Sequence, residues 1–336
     1  MRHPTVLVGF GKVAATLAQD ARMARWFPKA THLQCLADHP QFELVGIADR
    51  AEAARAAARQ ICPGVKVVAD AAELAHLSPR LAILAMPPEG RCEAVTALPT
   101  LRAIMLEKPL GAPALRGPLA AACRARNIAV QVNFWWRGDP MMRALAGGKH
   151  GIGPPQAAFA LYGNGLRNIG SHIVDLVRML LGNCAAVRAT SPFVTQAKLP
   201  LRGDGALSFV LELESGAQVS VQPLDFRLFR ESALNIWGER GRLAIEQEGL
   251  LIRRFPRRDH RGLEHAAEIA NDAPEALPVR AGEAMPALYD NLARALDGTE
   301  PLFSPLSSAI ETERVLDALI DSAGAGGKRI ALGAAE

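Results

Sequence analysis

Glu107-Lys108-Pro109 follows the apolar run Ala103 to Leu106, so an acid, a lysine and a proline stand where an apolar strand should leave its sheet. In an open α/β sheet the ligand crevice lies beyond the carboxyl ends of the strands. A lysine there serves as proton donor, base or hydrogen-bond donor, because burial shifts its pKa readily. Pro109 fixes its own φ and restricts Lys108, which is expected to hold the lysine in one backbone conformation. Taken alone, the triplet also reads as an ordinary charged strand end.

The elements that would position such a lysine begin at the N-terminus. Thr5-Val6-Leu7-Val8 is a β-branched, apolar strand, followed at once by Gly9-Phe10-Gly11-Lys12-Val13-Ala14. This is G-x-G-x-x-A between a strand and a helical pattern. Gly9 permits the tight turn, Gly11 lets the backbone approach a pyrophosphate, and Ala14 permits close helix–strand packing. A helix N-terminus beginning here is expected to present N–H groups to the phosphates. The second strand, Phe42 to Ala48, ends in Asp49-Arg50, a carboxylate suited to ribose hydroxyls. Arg50 suits either adenine stacking or a 2′-phosphate, so NAD and NADP both remain open. Asp49 lies 40 residues after Gly9, where ~20 is usual. Gln19 to Leu36 therefore reads as an insertion, broken at Phe27-Pro28, with a second helix through Thr31 to Ala37.

Strand–helix alternation continues. Val65 to Ala69, Arg80 to Ala85, Ala103 to Leu106 and Ile128 to Val132 read as strands, with a helix from about Leu115 to Arg126. Met86-Pro87-Pro88 ends the second of these strands. The pattern predicts a parallel, doubly wound sheet.

After Asn133 the pattern changes. Asn168 to Gly182 reads as an amphipathic helix with Ile169, Ile173, Val177 and Leu180 on one face. Asn168, His172 and Asp175, spaced four and three apart, would share the other face. The plain alternative is a helix capped by Asn168 or Ser171, with His172 a polar surface residue. Ala206 to Glu214, Gln218 to Pro223, Leu234 to Trp237, Arg242 to Glu246 and Leu250 to Phe255 alternate like antiparallel strands. One face of such a sheet could line a substrate site and the other meet a second copy. Arg253-Arg254-Phe255-Pro256-Arg257-Arg258 reads as a solvated basic loop, or as a contact for an anionic substrate tail. Ser304 to Ser322 reads as a long amphipathic helix.

At 336 residues, 49% hydrophobic and 21% charged, the chain is long enough for two globular domains. We place them at 1–130 and 131–336, the last helix and strand able to pack back on the first. The fold class is α/β: an N-terminal Rossmann-type doubly wound parallel sheet plus a C-terminal α+β domain with a largely antiparallel open sheet. A charge of +4 with 5% aromatic residues argues against nucleic acid. No apolar run approaches the ~18 residues of a membrane span. With the first strand beginning at Thr5, no signal peptide is expected. Five scattered cysteines without C-x-x-C spacing suggest cytoplasmic thiols and no structural zinc or other metal.

Gly9 to Ala14, Gly46-Ile47-Ala48-Asp49-Arg50, Met86-Pro87-Pro88, Glu107-Lys108-Pro109 and Gly170-Ser171-His172 through Asp175 together resemble the Gfo/Idh/MocA family of NAD(P)-dependent oxidoreductases. The tail from Ser304 to Leu332 is similar to the family's closing helix and strand. The resemblance implies Lys108 near the nicotinamide and the reacting hydroxyl, and His172 as acid/base. It implies cofactor contacts from Gly9, Phe10, Gly11, Lys12, Val13, Asp49, Arg50, Met86, Pro87, Glu107 and Lys108. Val132 to Pro140 resembles a substrate-contacting segment, with Asn133, Trp136 and Arg137 as candidates beside Asn168 and His172; Trp136 departs from the family pattern.

Many members carry an aspartate where Asn168 stands. An aspartate favours imidazolium, whereas an asparagine only orients the ring. Asn-Ile-Gly-x-His is similar to members oxidising nucleotide sugars, while Pro87 to Arg91 and Met105 to Gly111 resemble the aldose 1-dehydrogenase branch. The expected activity is hydride transfer to or from a secondary alcohol or ketone of a sugar or nucleotide sugar, by a homo-oligomer (dimer or tetramer). A non-catalytic dinucleotide or sugar sensor on the same fold is the rival.

Overall fold

Six apolar runs form one sheet in the computed structural model, which describes residues 2–19, 21–195 and 198–333. They are β1 (His3–Val8), β2 (Phe42–Ala48), β3 (Lys66–Val68), β4 (Leu81–Leu84), β5 (Ala103–Leu106) and β6 (Ala129–Val132), in the order β3-β2-β1-β4-β5-β6. Every neighbouring pair is parallel. The order reverses between β1 and β4, which makes their carboxyl ends the switch point of the sheet.

Both faces are covered, which is why the strands read as unbroken apolar runs rather than alternating ones. Val6, Val8, Ala82, Leu84, Ile104 and Leu106 pack on one side. Leu7, Leu81, Ile83, Ala103 and Met105 pack on the other. The connections carry α1 (Ala21–Trp26), α2 (His32–Ala37), α3 (Glu52–Ile61), α4 (Arg91–Ala97) and α5 (Pro113–Ala125).

The glycine turn does not open into a regular helix, contrary to the expectation. Ala15 N–H donates to Gly11 at 3.1 Å, but Leu17 N–H reaches back to Lys12 at 2.9 Å, which widens the turn. A short 3-10 turn at Thr16–Gln19 follows, and α1 ends before Phe27-Pro28. Helix then restarts at Thr31, whose hydroxyl and Gln34 form a reciprocal capping box. The insertion therefore replaces one long helix by two short ones.

The chain separates into two compact units, residues 1–139 with 282–310, and 140–281 with 311–336. The expected division lay at 130, with the last helix and strand able to pack back on the first domain; the first unit takes 282–310, which includes the start of that helix, while 282–303 was not anticipated there. The second unit begins with α6 (Pro140–Ala144) and builds a mixed sheet from β7 (Pro155–Tyr162), β8 (Cys184–Ala189), β11 (Phe209–Leu213), β12 (Gln218–Pro223), β13 (Ala233–Gly238), β14 (Gly241–Glu246), β15 (Leu251–Asp259), β16 (Ala267–Ile269) and β18 (Ile330–Ala331). Their order is β16-β15-β14-β13-β7-β12-β11-β8-β18, with β17 (Glu275–Ala276) beside β15. β9 (Val194–Thr195) and β10 (Gly205–Ala206) form a separate small ladder. Pairing is antiparallel except between β12 and β7. The last strand joins this second sheet, beside β8.

Three further helices complete the chain: α7 (Ser171–Leu181), α8 (Ala284–Leu296) and α9 (Leu306–Gly324). Neither β7, β8 nor α8 was anticipated. Pro286 reads as a helix breaker, yet it sits in the first turn of α8, where no N–H is needed. Leu288, Tyr289 and Leu292 of that helix then cover the Leu7–Met105 face of the parallel sheet. No helix among the described residues is long and apolar enough to cross a membrane.

Candidate active site

A cleft of about 540 Å³ opens at the switch point. Gly9, Phe10 and Gly11 line it with Asp49 and Arg50 from the end of β2, and Met86 and Pro87 from the end of β4. The turn needs its glycine: Gly9 has φ +93°, and a Cβ there would lie 2.6 Å from the Ala85 carbonyl oxygen. Gly11 has open space on its Cβ side, so nothing there obstructs a ligand's approach to the backbone.

The Asp49 carboxylate is held from both sides. Phe10 N–H donates to Oδ2 at 2.7 Å and Ala51 N–H to Oδ1 at 2.8 Å. Each oxygen retains a lone pair, which suits a vicinal diol. Arg50 reaches Glu93 at 3.3 Å, and both lie on the cleft. Glu93 went unnoticed in the sequence because a lone helical glutamate carries no signal. Lys12, Val13, Glu107 and Lys108, also expected at the cofactor, are not among the residues lining this cleft.

Lys108 emerges one strand further along the same edge, since Leu84 pairs with Leu106 and Glu107 N–H donates to the Leu84 carbonyl at 3.1 Å. Its peptide bond to Pro109 is cis. The lysine is half-buried, whereas Glu107 is buried. Glu107 continues the Met105 side of the strand alternation, under α8, and Lys108 continues the Leu106 side. Asn133 Nδ2 donates to Glu107 Oε1 at 2.6 Å, and His32 Nε2 lies 2.9 Å from the same oxygen. Burial raises the Glu107 carboxyl, but the His32 bond and charge, then Asn133 and Lys108, more than offset it; the net shift is downward.

Arg91 was missed as well. Its buried guanidinium donates to the Met86 carbonyl at 3.0 and 2.8 Å and to the Pro109 carbonyl at 2.7 Å. Arg116 holds the next turn at the Gly111 carbonyl, 2.9 Å away. Both bonds are long-reach side-chain contacts to backbone, which no local pattern announces.

Trp136 is buried and lies 5.0 Å from Trp135, while Arg137 is half-buried. All of these residues, with Asn133, belong to the first unit.

Asn168 and His172 belong to the second unit. Asn168 falls in a wide turn, Leu166–Gly170, and α7 proper starts at Ser171. The buried Asp204 carboxylate holds that turn: it accepts the N–H groups of Arg167 and Asn168, each at 3.1 Å. Ser171 Oγ closes onto the Asn168 carbonyl at 2.8 Å. The amphipathic expectation gives way here, because Ser171 through Val177 are all buried, His172 included. Asp175 shares its helix face, and its Oδ1 accepts from the Thr312 hydroxyl at 3.0 Å. The helix stops at Gly182, φ +98°. The basic run is engaged by acids: Arg254 with Glu275, and Arg258 with Glu268 and Asp272. Among the described residues no group of three His, Cys, Asp or Glu side chains could hold a metal ion.

Residues 127–244 match the family model for the GFO/IDH/MocA C-terminal domain. No curated protein sequence matches the chain. Among solved structures, it is similar to an oxidoreductase from Agrobacterium radiobacter in complex with NAD+, L-tartaric acid and magnesium, at 16% identity, TM-score 0.76 and 99% coverage of both chains. The WlbA dehydrogenase from Bordetella pertussis, in complex with NADH and UDP-GlcNAcA, is 19% identical at TM-score 0.72, again with 99% of each chain covered. Levoglucosan dehydrogenase in complex with NADH is 18% identical at TM-score 0.75, over 98% of this chain and 99% of that one. At such identities the structural likeness is one of fold. Residues 127–244 thus match the GFO/IDH/MocA C-terminal domain, and the chain as a whole shares the fold of these oxidoreductases.

Proposed function

We propose that the protein is an NAD(P)-dependent oxidoreductase acting on a secondary alcohol or ketone of a sugar or nucleotide sugar. The observation that carries the reading is the switch-point cleft, where Gly9 to Gly11 form one wall and the Asp49 carboxylate is anchored on Phe10 N–H. These residues fit a dinucleotide. Gly9 and Gly11 would take the pyrophosphate, Asp49 the adenine ribose, and Met86 and Pro87 the path toward the nicotinamide. The carboxylates of Asp49 and Glu93, which line the cleft with Arg50, favour NAD over NADP, because they oppose a 2′-phosphate.

When bound, the nicotinamide supplies the hydride-accepting carbon. In the oxidative direction His172 would take the proton of the substrate hydroxyl. Lys108 donates a hydrogen bond to that oxygen and stabilises its developing negative charge. Glu107 orients Lys108, and Asn168, standing where many members carry an aspartate, orients by hydrogen bonding alone. Reduction runs the same proton back from His172. Asn133, Trp136 and Arg137 belong to the substrate-contacting segment, and Asn133 Nδ2 also donates to Glu107.

The sugar class is supported by the levoglucosan dehydrogenase and WlbA likenesses. The five free cysteines support a reducing, cytoplasmic setting. Exposed Phe159 and Trp237, on adjacent strands of the second sheet, support a dimer or tetramer.

The experiment incubates the full chain with NAD or NADP and a panel of aldoses, an anhydrosugar and UDP-sugars, following absorbance of the reduced cofactor. Turnover is expected on at least one panel member, and Lys108→Ala should cut it at least ~100-fold with cofactor binding nearly intact. Near-normal turnover in that variant overturns the role of Lys108. Tight cofactor binding without turnover on any member favours the sensor, which the buried Trp136 and the asparagine at 168 would suit.

A further inference from the structure

His32 is a fully buried titratable residue that the proposed chemistry does not use. It opens α2, inside the segment the sequence marked as an insertion. Its ring bridges two elements of the first unit: Nε2 lies 2.9 Å from Glu107 Oε1 and Nδ1 lies 2.7 Å from the Tyr289 hydroxyl. An ionised carboxylate only accepts, which assigns a proton to Nε2, and Nδ1 pairs with the Tyr289 hydroxyl. The same logic assigns the Asn133 amide, whose nitrogen must be the atom 2.6 Å from Oε1.

The backbone of His32 faces the other way. Its N–H donates to the Val13 carbonyl at 3.1 Å, and Leu33 N–H donates to Ala14 at 3.0 Å. These carbonyls close the G-x-G-x-x-A turn. One residue therefore holds the dinucleotide turn with its main chain and Glu107 with its ring.

Glu107 and Lys108 are neighbours at a strand exit, so a fixed Glu107 fixes the backbone from which Lys108 departs. The Arg91 bond to Pro109 fixes the other side. We propose that His32 is a positioning residue for Lys108: it clamps the Glu107 carboxylate beside the lysine and ties that clamp to the nucleotide turn, with Tyr289 holding the ring in place. The proposal rests on the reading of Lys108 as the residue that binds the reacting oxygen.

The titratable groups around the clamp include His32 and Cys35 on α2, Tyr289 on α8 and Lys108 itself, with His39 against the Tyr289 ring and Lys29 and Asp290 acting on Cys35. Without the His32 donor, burial of Glu107 is less opposed and its carboxyl moves upward. The sign of the resulting stability change follows. In the wild type Glu107 is lowered, so it adds stability as pH rises through the acid range and loses it as pH falls. With a raised carboxyl it would instead remove stability as pH rises above its unfolded value.

The test uses full-length His32→Leu, His32→Gln and Tyr289→Phe. Glutamine offers an amide N–H to Glu107, whereas leucine fills volume without a donor. His32→Leu is expected to lower kcat about tenfold or more. Its dinucleotide Kd should stay within about threefold, and the acid limb of its pH–kcat profile should move up by about a unit. His32→Gln should recover most of kcat and the wild-type limb, and Tyr289→Phe should shift both slightly in the leucine direction. Melting temperatures between about pH 4 and 7, taken without cofactor, should rise less steeply with pH in His32→Leu than in the wild type or the other variants. A leucine variant with wild-type kcat and limb overturns the proposal, as does a glutamine variant as impaired as leucine. If the enzyme panel itself shows no turnover, the functional reading fails, while the cofactor-free melting curves still decide whether His32 holds Glu107.

Discussion

Arg91 Nη1 donates to the Pro109 carbonyl at 2.7 Å, while Nε and Nη2 of the same guanidinium hold the Met86 carbonyl at 3.0 and 2.8 Å. A single buried fork thus joins the exits of β4 and β5, the strand that lines the cleft and the strand that presents Lys108. Its three donors diverge from one rigid plane, so the two turns are spaced by guanidinium geometry rather than by side-chain packing.

Arg91→Lys keeps the charge and loses the fork, since an ammonium cannot serve both carbonyls with the same rigid geometry. The variant should lose about 1–3 kcal/mol in chemical denaturation, the scale of hydrogen bonds to charged groups. Its turnover should fall by about tenfold or more as Lys108 loses its frame. Unchanged stability and turnover would show that the turns hold their spacing without the arginine.

The Asp49 carboxylate, anchored on Phe10 and Ala51, tests the cofactor assignment. Asp49→Ala should weaken NAD by roughly 10- to 100-fold in a calorimetric titration, the range of a lost charged hydrogen bond. NADP should be hurt less, because the variant removes a carboxylate opposed to the 2′-phosphate. Arg50 would be available to it, its exposed pairing with Glu93 being weak. Equal losses for both dinucleotides would place the ribose elsewhere.

Alkaline stability follows from buried thiols. Burial pushes Cys35 and Cys184 up to about 12 and Cys123 up to about 11, from an ordinary value of 9.0. A raised folded pKa gives stability that is complete below the unfolded value and lost as pH climbs toward the folded one. Each thiol should therefore cost about 1.4 kcal/mol per pH unit above 9. Melting temperature should be flat from pH 7 to 8.5 and fall steeply by pH 10.5, and Cys35→Ala should flatten that fall. An unchanged slope in the variant would show that Cys35 ionises freely in the folded chain.

The amino-acid sequence alone determined the parallel sheet, the glycine turn, the carboxylate that ends β2 and the lysine at a strand exit. Those signals are local: unbroken apolar runs, a strand–glycine junction and a charged strand end each sit within a few residues. β5 and β12 appear where the sequence placed β5 and Gln218 to Pro223. The tertiary structure decided what surrounds Lys108, because its supports come from far along the chain. His32 lies 75 residues before Glu107, and its ring meets Tyr289, 257 residues after His32. Tyr289 lies on α8, a helix that was not anticipated. The all-round burial of α7 was hidden for the same reason: a helical wheel shows which side is apolar, but only packing shows that the polar side is covered too.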